Sequence, residues 1–413
     1  MAEASLRTID DVVCGFCGLG CDDLTVEVEG REVRASGAVC PEAARLLRRM
    51  DMPDRGPSVA GAPVSLDEAT QAARRLLGEA RAPVFAGLGV DMAGAGALAD
   101  LAVRFGGVLD HYASDGLFAN YAAAQRTGWL STTLAEVRNR CDLLLVLGED
   151  PAATWGRLFE RLYPEAPLFA GAPRRVVFLG GAPGEKARRQ LAGAEVSHLA
   201  ADDVVAALEA LGVFAAGGQP PGTSFGGVPA QDISALAEAL RGAHYAVVTW
   251  NAGGLAQGDL VAEFATKLVD SINLVTRAGV FPLGGRDNII GVNQLLLWRL
   301  GYPLRTAVRG QASAHDGALY ATGQALADAD LLVWTSAFRP EPPPAFSGKV
   351  IALAHPDTQF DKEPDVLIPV GTPGVDHAGT VFRMDSIVSM PLGALRVATL
   401  PSVAEAARGL AEG

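Results

Sequence analysis

The chain is poor in aromatic residues, 6% of 413 positions, has only six histidines, and carries 34 lysines and arginines against 47 aspartates and glutamates. The resulting formal net charge of −13 argues against nucleic acid or an anionic membrane surface as the main partner. No apolar run approaches the ~20 residues a membrane span requires. The opening MAEASLRTIDD has no basic-then-apolar signal pattern, so a soluble, cytoplasmic protein is expected. A Walker loop, a dinucleotide-binding glycine fingerprint, an HExxH pair and a Ser-His-Asp arrangement are all missing. Cysteine is scarce too, with five in all, but four of them fall between positions 14 and 40.

Those four are Cys14, Cys17, Cys21 and Cys40. The C-x2-C-x3-C spacing of the first three lets one loop wrap three thiolates around an ion or cluster. Leu24, Val26 and Val28 then alternate with polar residues, EGRE supplies turn chemistry, and Val33 and Ala35 resume the alternation. A β-hairpin is expected there, carrying Cys40 back as a fourth ligand. Zinc and a 4Fe-4S cluster both suit this pattern, and inert buried thiols stay open beside them. Disulfides are disfavoured without a secretory signal. Cys141 stands alone before DLLLVLG and is expected to be core.

Beyond a Pro/Gly-rich connection, MPDRGPSVAGAP, fully apolar runs alternate with amphipathic helical stretches. The runs are PVFAGLG, GGVLDHYA, DLLLVLG, RRVVFLGG, EVSHLA, HYAVVTW, SINLVTR, LLVWTSA, KVIALAH and DVLIPV. Strands apolar on both faces predict parallel sheets covered by helices, here two doubly wound α/β units. The expected organisation is a Cys domain over 1–60, an α/β domain over 61–135 and 285–370, a second α/β domain inserted over 136–284, and a C-terminal extension over 371–413. Chemistry is expected in the loops after the strands, such as GEDPAATW, NAGGLAQGD and SAFRPEPPP.

Several motifs resemble the molybdopterin or tungstopterin oxidoreductases, in particular the B subunit of formylmethanofuran dehydrogenase. The cysteine segment looks like the iron-sulfur domain that opens that family. Gly148–Pro151, GEDP, looks like its loop for a guanine dinucleotide of the pterin. PLGGRDNIIGVNQLLLWRLGYPLR, Pro282–Arg305, is close to the B-subunit version of the segment that lies next to the metal, and GVDHAGTVFRMDS, Gly374–Ser386, matches its late loop. The resemblance covers essentially the whole chain.

Departures from that pattern carry information. Active members of the family place Cys-His-Gly after a strand, the Cys ligating the metal, where this chain has Ser114, Asp115 and Gly116. They place an arginine beside the metal where this chain has Gly284, and Arg286 lies too far along to substitute. The resemblance therefore implies the non-redox branch of the family, the B subunit of a bacterial formyltransferase/hydrolase complex. It would be a scaffold with no active site of its own and no molybdopterin or tungstopterin. It would work with an amidohydrolase-like A subunit, a C subunit and a formyltransferase D subunit, in tetrahydromethanopterin-linked conversion of formaldehyde to formate. Two alternatives stand beside this: an active molybdenum or tungsten dehydrogenase using Ser114 as ligand and Arg286 as oxyanion clamp, and a free-standing metal- or cofactor-binding module. Gly291–Arg305 and Ala378–Asp385 are left with core packing or partner contact as roles, core packing being expected for LLLWRL.

Overall fold

A computed structural model describes residues 6–49, 55–164, 167–171 and 173–412. The chain divides into two compact units, Met1–Ser114 with Gly285–Gly413, and Asp115–Gly284. Met50 and residues 51–54, where the Pro/Gly-rich connection is expected to begin, lie outside the described residues.

The first unit opens with an antiparallel sheet of β1 (Arg7–Val12), β2 (Leu24–Glu29) and β3 (Glu32–Ser36), in that order. Leu24, Val26 and Val28 are buried along β2, and Gly30 turns the chain at φ +59° so that Val28 faces Val33. The helix Pro41–Leu47 follows, with Cys40 as its N-cap and proline in its first turn, where a missing N–H costs nothing.

A nine-stranded sheet forms the body of this unit. Its strands are β4 (Ser58–Val59), β5 (Ala62–Pro63), β6 (Pro83–Gly89), β7 (Gly107–Leu109), β15 (Thr306–Arg309), β16 (Ala312–His315), β17 (Leu331–Ser336), β18 (Lys349–Ala354) and β19 (Val366–Pro369). The order is β16-β15-β7-β6-β17-β18-β19-β4-β5. The central five, β7 to β19, run parallel and β6 is buried throughout. Both flanks are antiparallel, which departs from the purely parallel expectation. For the outermost pairs the reason is connection length: β15–β16 and β4–β5 are joined by two-residue turns, which cannot cross over. Gly87 sits at φ +84° where an added Cβ would meet Thr335 O at 2.5 Å, and the register between β6 and β17 shifts beside it. A small ribbon, β20 (Gly379–Phe382) with β21 (Ser389–Leu392), completes the unit. Helices start at strong caps: Ser65 with Glu68 and Ser402 with Glu405 form capping boxes, and Asp91 caps Met92–Phe105.

The second unit is a parallel five-stranded sheet of β8 (Leu143–Gly148), β9 (Arg175–Gly180), β10 (Glu195–Ala200), β13 (Ala246–Trp250) and β14 (Ala278–Pro282), ordered β10-β9-β8-β13-β14. A two-residue ribbon joins β11 (Ser224–Phe225) to β12 (Val228–Pro229). The helix Ser114–Thr127 leads in and sets Ala123 into this unit's core, so the division at 114/115 lies upstream of residue 136. Cys141 is buried in this unit, its Sγ 3.6 Å from the Tyr163 hydroxyl. Two strand expectations need correction. EVSHLA forms β10, but as an edge strand exposed or half-exposed along its length rather than one buried on both faces. SINLVTR is not a strand: the helix Gly258–Asn273 carries its apolar face on through Val269 and Ile272, and the strand starts at Ala278. The Asn273 amide bonds to Ala278 O and N, closing the helix against the strand.

Candidate functional site

In open α/β sheets, ligands sit outside the carboxyl ends of the strands. In the first unit that edge collects a belt of buried polar side chains, among them Asp91 after β6, Asp110 and Ser114 after β7, Arg339 after β17, His355 after β18 and Thr372 after β19. Buried polar groups at this density have to satisfy one another, and most of the belt does so in three networks, although Asp110 Oδ1 has no hydrogen-bond partner among the described residues.

The first surrounds Ser114. Its Oγ, in a residue only 2% exposed, accepts hydrogen bonds from Arg305 Nε (3.1 Å) and Nη2 (2.9 Å). Arg305 Nη1 donates to Gly317 O at 2.6 Å, and Nε lies 3.7 Å from Asp110 Oδ1. The other carboxylate oxygen of Asp110 accepts from Thr322 N and Oγ1, both at 2.8 Å. Burial raises the Asp110 pKa above the usual carboxylate value, against the pull of Thr322, Arg305 and Ser114.

The second is centred on Asp287, whose backbone is left-handed at φ +49°. Arg339 grips it in a bidentate fork, Nε to Oδ2 at 2.5 Å and Nη2 to Oδ1 at 2.8 Å, while Nη1 reaches Glu42 at 2.6 Å. The Tyr112 hydroxyl also donates to Asp287. Burial and then the Asp287 charge push the Tyr112 pKa up. For Arg339 burial works downward, but Asp287 and Glu42 carry it well above its ordinary value. His111 accepts from Ala113 N through Nδ1 (3.0 Å), so its proton sits on Nε2, facing Asp287 O at 3.3 Å. The cysteine loop enters here: Asp287 N donates to Phe16 O, and Met384 N to Gly18 O. Gly18, at φ +79°, lies against Gly285, where a Cβ would come within 2.6 Å.

The third joins Arg49 to His355 Nε2 (3.0 Å) and to Thr372 Oγ1 (2.7 Å). Asp376, within the GVDHAGT motif, accepts from Thr372 N and from Arg396 Nε. The RMD run is an internal staple in which Arg383 grips Asp385.

Other sequence-derived candidates fall as follows. Cys14 and Cys21 are buried, Cys17 and Cys40 half-buried, and Cys14 N bonds Cys21 O at 2.8 Å. The thiols feel one another: burial first, then Cys17, Cys21 and Cys40, raise Cys14 well above its usual value, and Cys17 is pushed up to about 12, mainly by burial. Among the described residues, however, no three His, Cys, Asp or Glu side chains converge closely enough to hold one metal ion. The Cys40 sulfur instead accepts from Ala43 N at 3.4 Å. Asp115 is exposed in the first turn of its helix, and a Cβ added at Gly284 would meet nothing within 4 Å. Arg286 is half-exposed beside Glu42 at 3.4 Å. LLLWRL is core only on its inner side: Leu295 and Leu296 are buried, but Leu297 and Trp298 are exposed. Asp110, Asp287, Arg305 and Arg339 all lie inside segments quoted from the sequence but were not singled out as site residues, because each is a lone charge in its own neighbourhood.

Fold and motifs together define a chain that resembles the B subunits of formylmethanofuran dehydrogenases. It is 29% identical over 361 residues to the B subunit of the formyltransferase/hydrolase complex Fhc of Methylorubrum extorquens, covering 85% of this chain and 95% of that one. It is 26% identical over 413 residues to the B subunit of the tungsten-containing formylmethanofuran dehydrogenase 2 of Methanocaldococcus jannaschii, covering 92% of each. A chain in the crystal structure of the FhcABCD complex of Methylorubrum extorquens with methylofuran superposes with a TM-score of 0.74 at 25% identity, over 86% of this chain and 97% of that one. No family model matches.

The tungsten in the name of one relative can be tested against these residues. A tungsten ligand at Ser114 needs a free oxygen facing an open coordination position. Here that oxygen accepts two bonds from a guanidinium that also faces a carboxylate. A cation is already in place, and the donor set does not fit the metal.

Proposed function

We propose that this protein is a B-type, non-catalytic subunit of a formyltransferase/hydrolase complex in tetrahydromethanopterin-linked one-carbon metabolism, acting in the cytoplasm. The observation that carries it is the conjunction of likeness to the Fhc B subunit along the chain with a Ser114 oxygen engaged by Arg305 and a glycine at 284. A formyl group being oxidised needs a metal ligand and a fixed cation. Position 284 offers no cation, and the Ser114 oxygen is already engaged by Arg305. Its partners under this reading are an amidohydrolase-like A subunit, a C subunit and a formyltransferase D subunit, and its contribution is positional.

The cysteine quartet serves the fold in this reading. No three of the thiols meet closely enough among the described residues to hold one ion, so thiolate bonds to a cluster or to zinc would staple the small N-terminal sheet only if metal binding drew them together. Co-expressing the chain with and without the three partners and sizing the products tests the proposal: an obligate interface buries upwards of roughly 2,000 Å² and survives gel filtration. A monomer that ignores all three partners would remove it.

A further inference from the structure

We propose that Arg305 is a built-in ligand: its guanidinium fills, in cis, a planar-cation site made by Ser114 Oγ, Asp110 and Gly317 O at the carboxyl end of β7. The inference deepens the non-catalytic reading and rests on it in taking this edge of the sheet as the ligand seat.

The geometry is that of a receptor for a forked cation. A hydroxyl and a main-chain carbonyl accept from the nitrogens of one guanidinium, and Asp110 Oδ1, a buried oxygen with no hydrogen-bond partner among the described residues, lies 3.7 Å from Nε as the counter-charge. An ammonium offers a compact charge and cannot span them with planar donors. The receptor is itself fixed, since Thr322 holds the far oxygen of Asp110 with two hydrogen bonds. Arg305 sits in the bend just before β15, between buried Leu304 and Thr306. Arg305 has φ +59°, a left-handed conformation that costs a non-glycine residue of order 1 kcal/mol or more. Its own peptide is pinned on both sides, N to Leu109 O at 2.8 Å and O to His315 Nδ1 at 2.9 Å. Strain held in place by bonds on either side, at a position whose side chain enters a polar seat, marks a built feature.

The test is chemical rescue in the full-length protein. Arg305→Ala should fold with its thermal midpoint lowered by roughly 10 °C, because Asp110 is left buried without its cation. Guanidinium or methylguanidinium, at millimolar concentrations far below the denaturing range, should restore most of that loss saturably. Tetramethylammonium, of equal charge but without N–H donors, should not. An Arg305→Ala midpoint unmoved by guanidinium, or an Arg305→Met protein as stable as the parent, would overturn the assignment. If Arg305→Ala does not fold, Arg305→Lys is read instead: a comparable fall supports the forked site, and a midpoint equal to the parent's overturns it. Tungsten and molybdenum analysis of the parent protein decides the non-catalytic reading separately. Stoichiometric metal there removes that reading whatever the variants do, whereas failed rescue in metal-free protein removes only this inference.

Discussion

A carboxylate as deeply buried as Asp287 persists because its partners were buried with it: a bidentate Arg339, the Tyr112 hydroxyl and, through Arg339, Glu42. Desolvation makes such a pair costly to break from one side. Arg339→Met should destabilise the protein by about 3–5 kcal/mol, and Asp287→Asn by a similar amount. The double variant should cost well under the sum, which denaturant titration of all four proteins would show; additive losses would mean the two side chains are not coupled. His111 offers a pH test. Burial, only partly countered by Asp287, pushes its pKa down to about 4. The unfolded chain binds this proton near pH 6.5 and the folded chain does not, so stability is complete above that pH and falls as pH drops towards about 4. The slope for one such histidine is about 1.4 kcal/mol per pH unit. His355 is depressed in the same direction, by burial and then Arg49. Unfolding free energies at pH 7 and pH 5 should therefore differ, and His111→Asn, which keeps an acceptor for Ala113 N, should shrink the difference. An unchanged difference would clear His111 of the role.

Elements in this chain meet through glycines where backbones come too close for a Cβ. At Gly87 an alanine would need φ +84° and would press on Thr335 O, in the middle of the parallel part of the nine-stranded sheet. Gly87→Ala is expected to cost more than about 2 kcal/mol, the sum of a left-handed penalty and overpacking, and a neutral result in thermal unfolding would contradict the close approach of Gly87 to Thr335. Cys40 allows two roles to be separated on one helix. As an N-cap its sulfur holds Ala43 N, a task serine does at least as well. Cys40→Ala should lose about 1 kcal/mol and Cys40→Ser little of it. If serine instead costs as much as alanine, the sulfur is acting as a metal ligand.

Across the whole molecule the question is what Cys14, Cys17, Cys21 and Cys40 hold. Under the scaffold reading, anaerobically prepared protein should contain no stoichiometric tungsten or molybdenum. Any iron with sulfide, or zinc, should be released with loss of order in the N-terminal sheet, seen as a lower unfolding midpoint after chelation. Dye-linked formyl oxidation together with stoichiometric tungsten would reinstate the dehydrogenase reading. The charge of −13 adds a constraint: self-association brings like charges together, so an apolar surface such as Leu297 and Trp298 gains more from a partner of different charge.

Apolar runs such as PVFAGLG, DLLLVLG, HYAVVTW and LLVWTSA determined buried strands by themselves, because a strand covered on both faces needs no partner to explain its composition. SINLVTR misled for the same reason: a short apolar run fits the end of a buried helix equally well. The family motifs were likewise legible, being local strings. What the sequence did not carry was the content of the site. Arg305 lies 191 positions from Ser114, and Arg339 lies 52 from Asp287 and 297 from Glu42. Each is an ordinary charged residue in its own neighbourhood. Only when the parallel strands align their carboxyl ends do these charges enter a common low-dielectric edge, where each must find the other or remain unsatisfied.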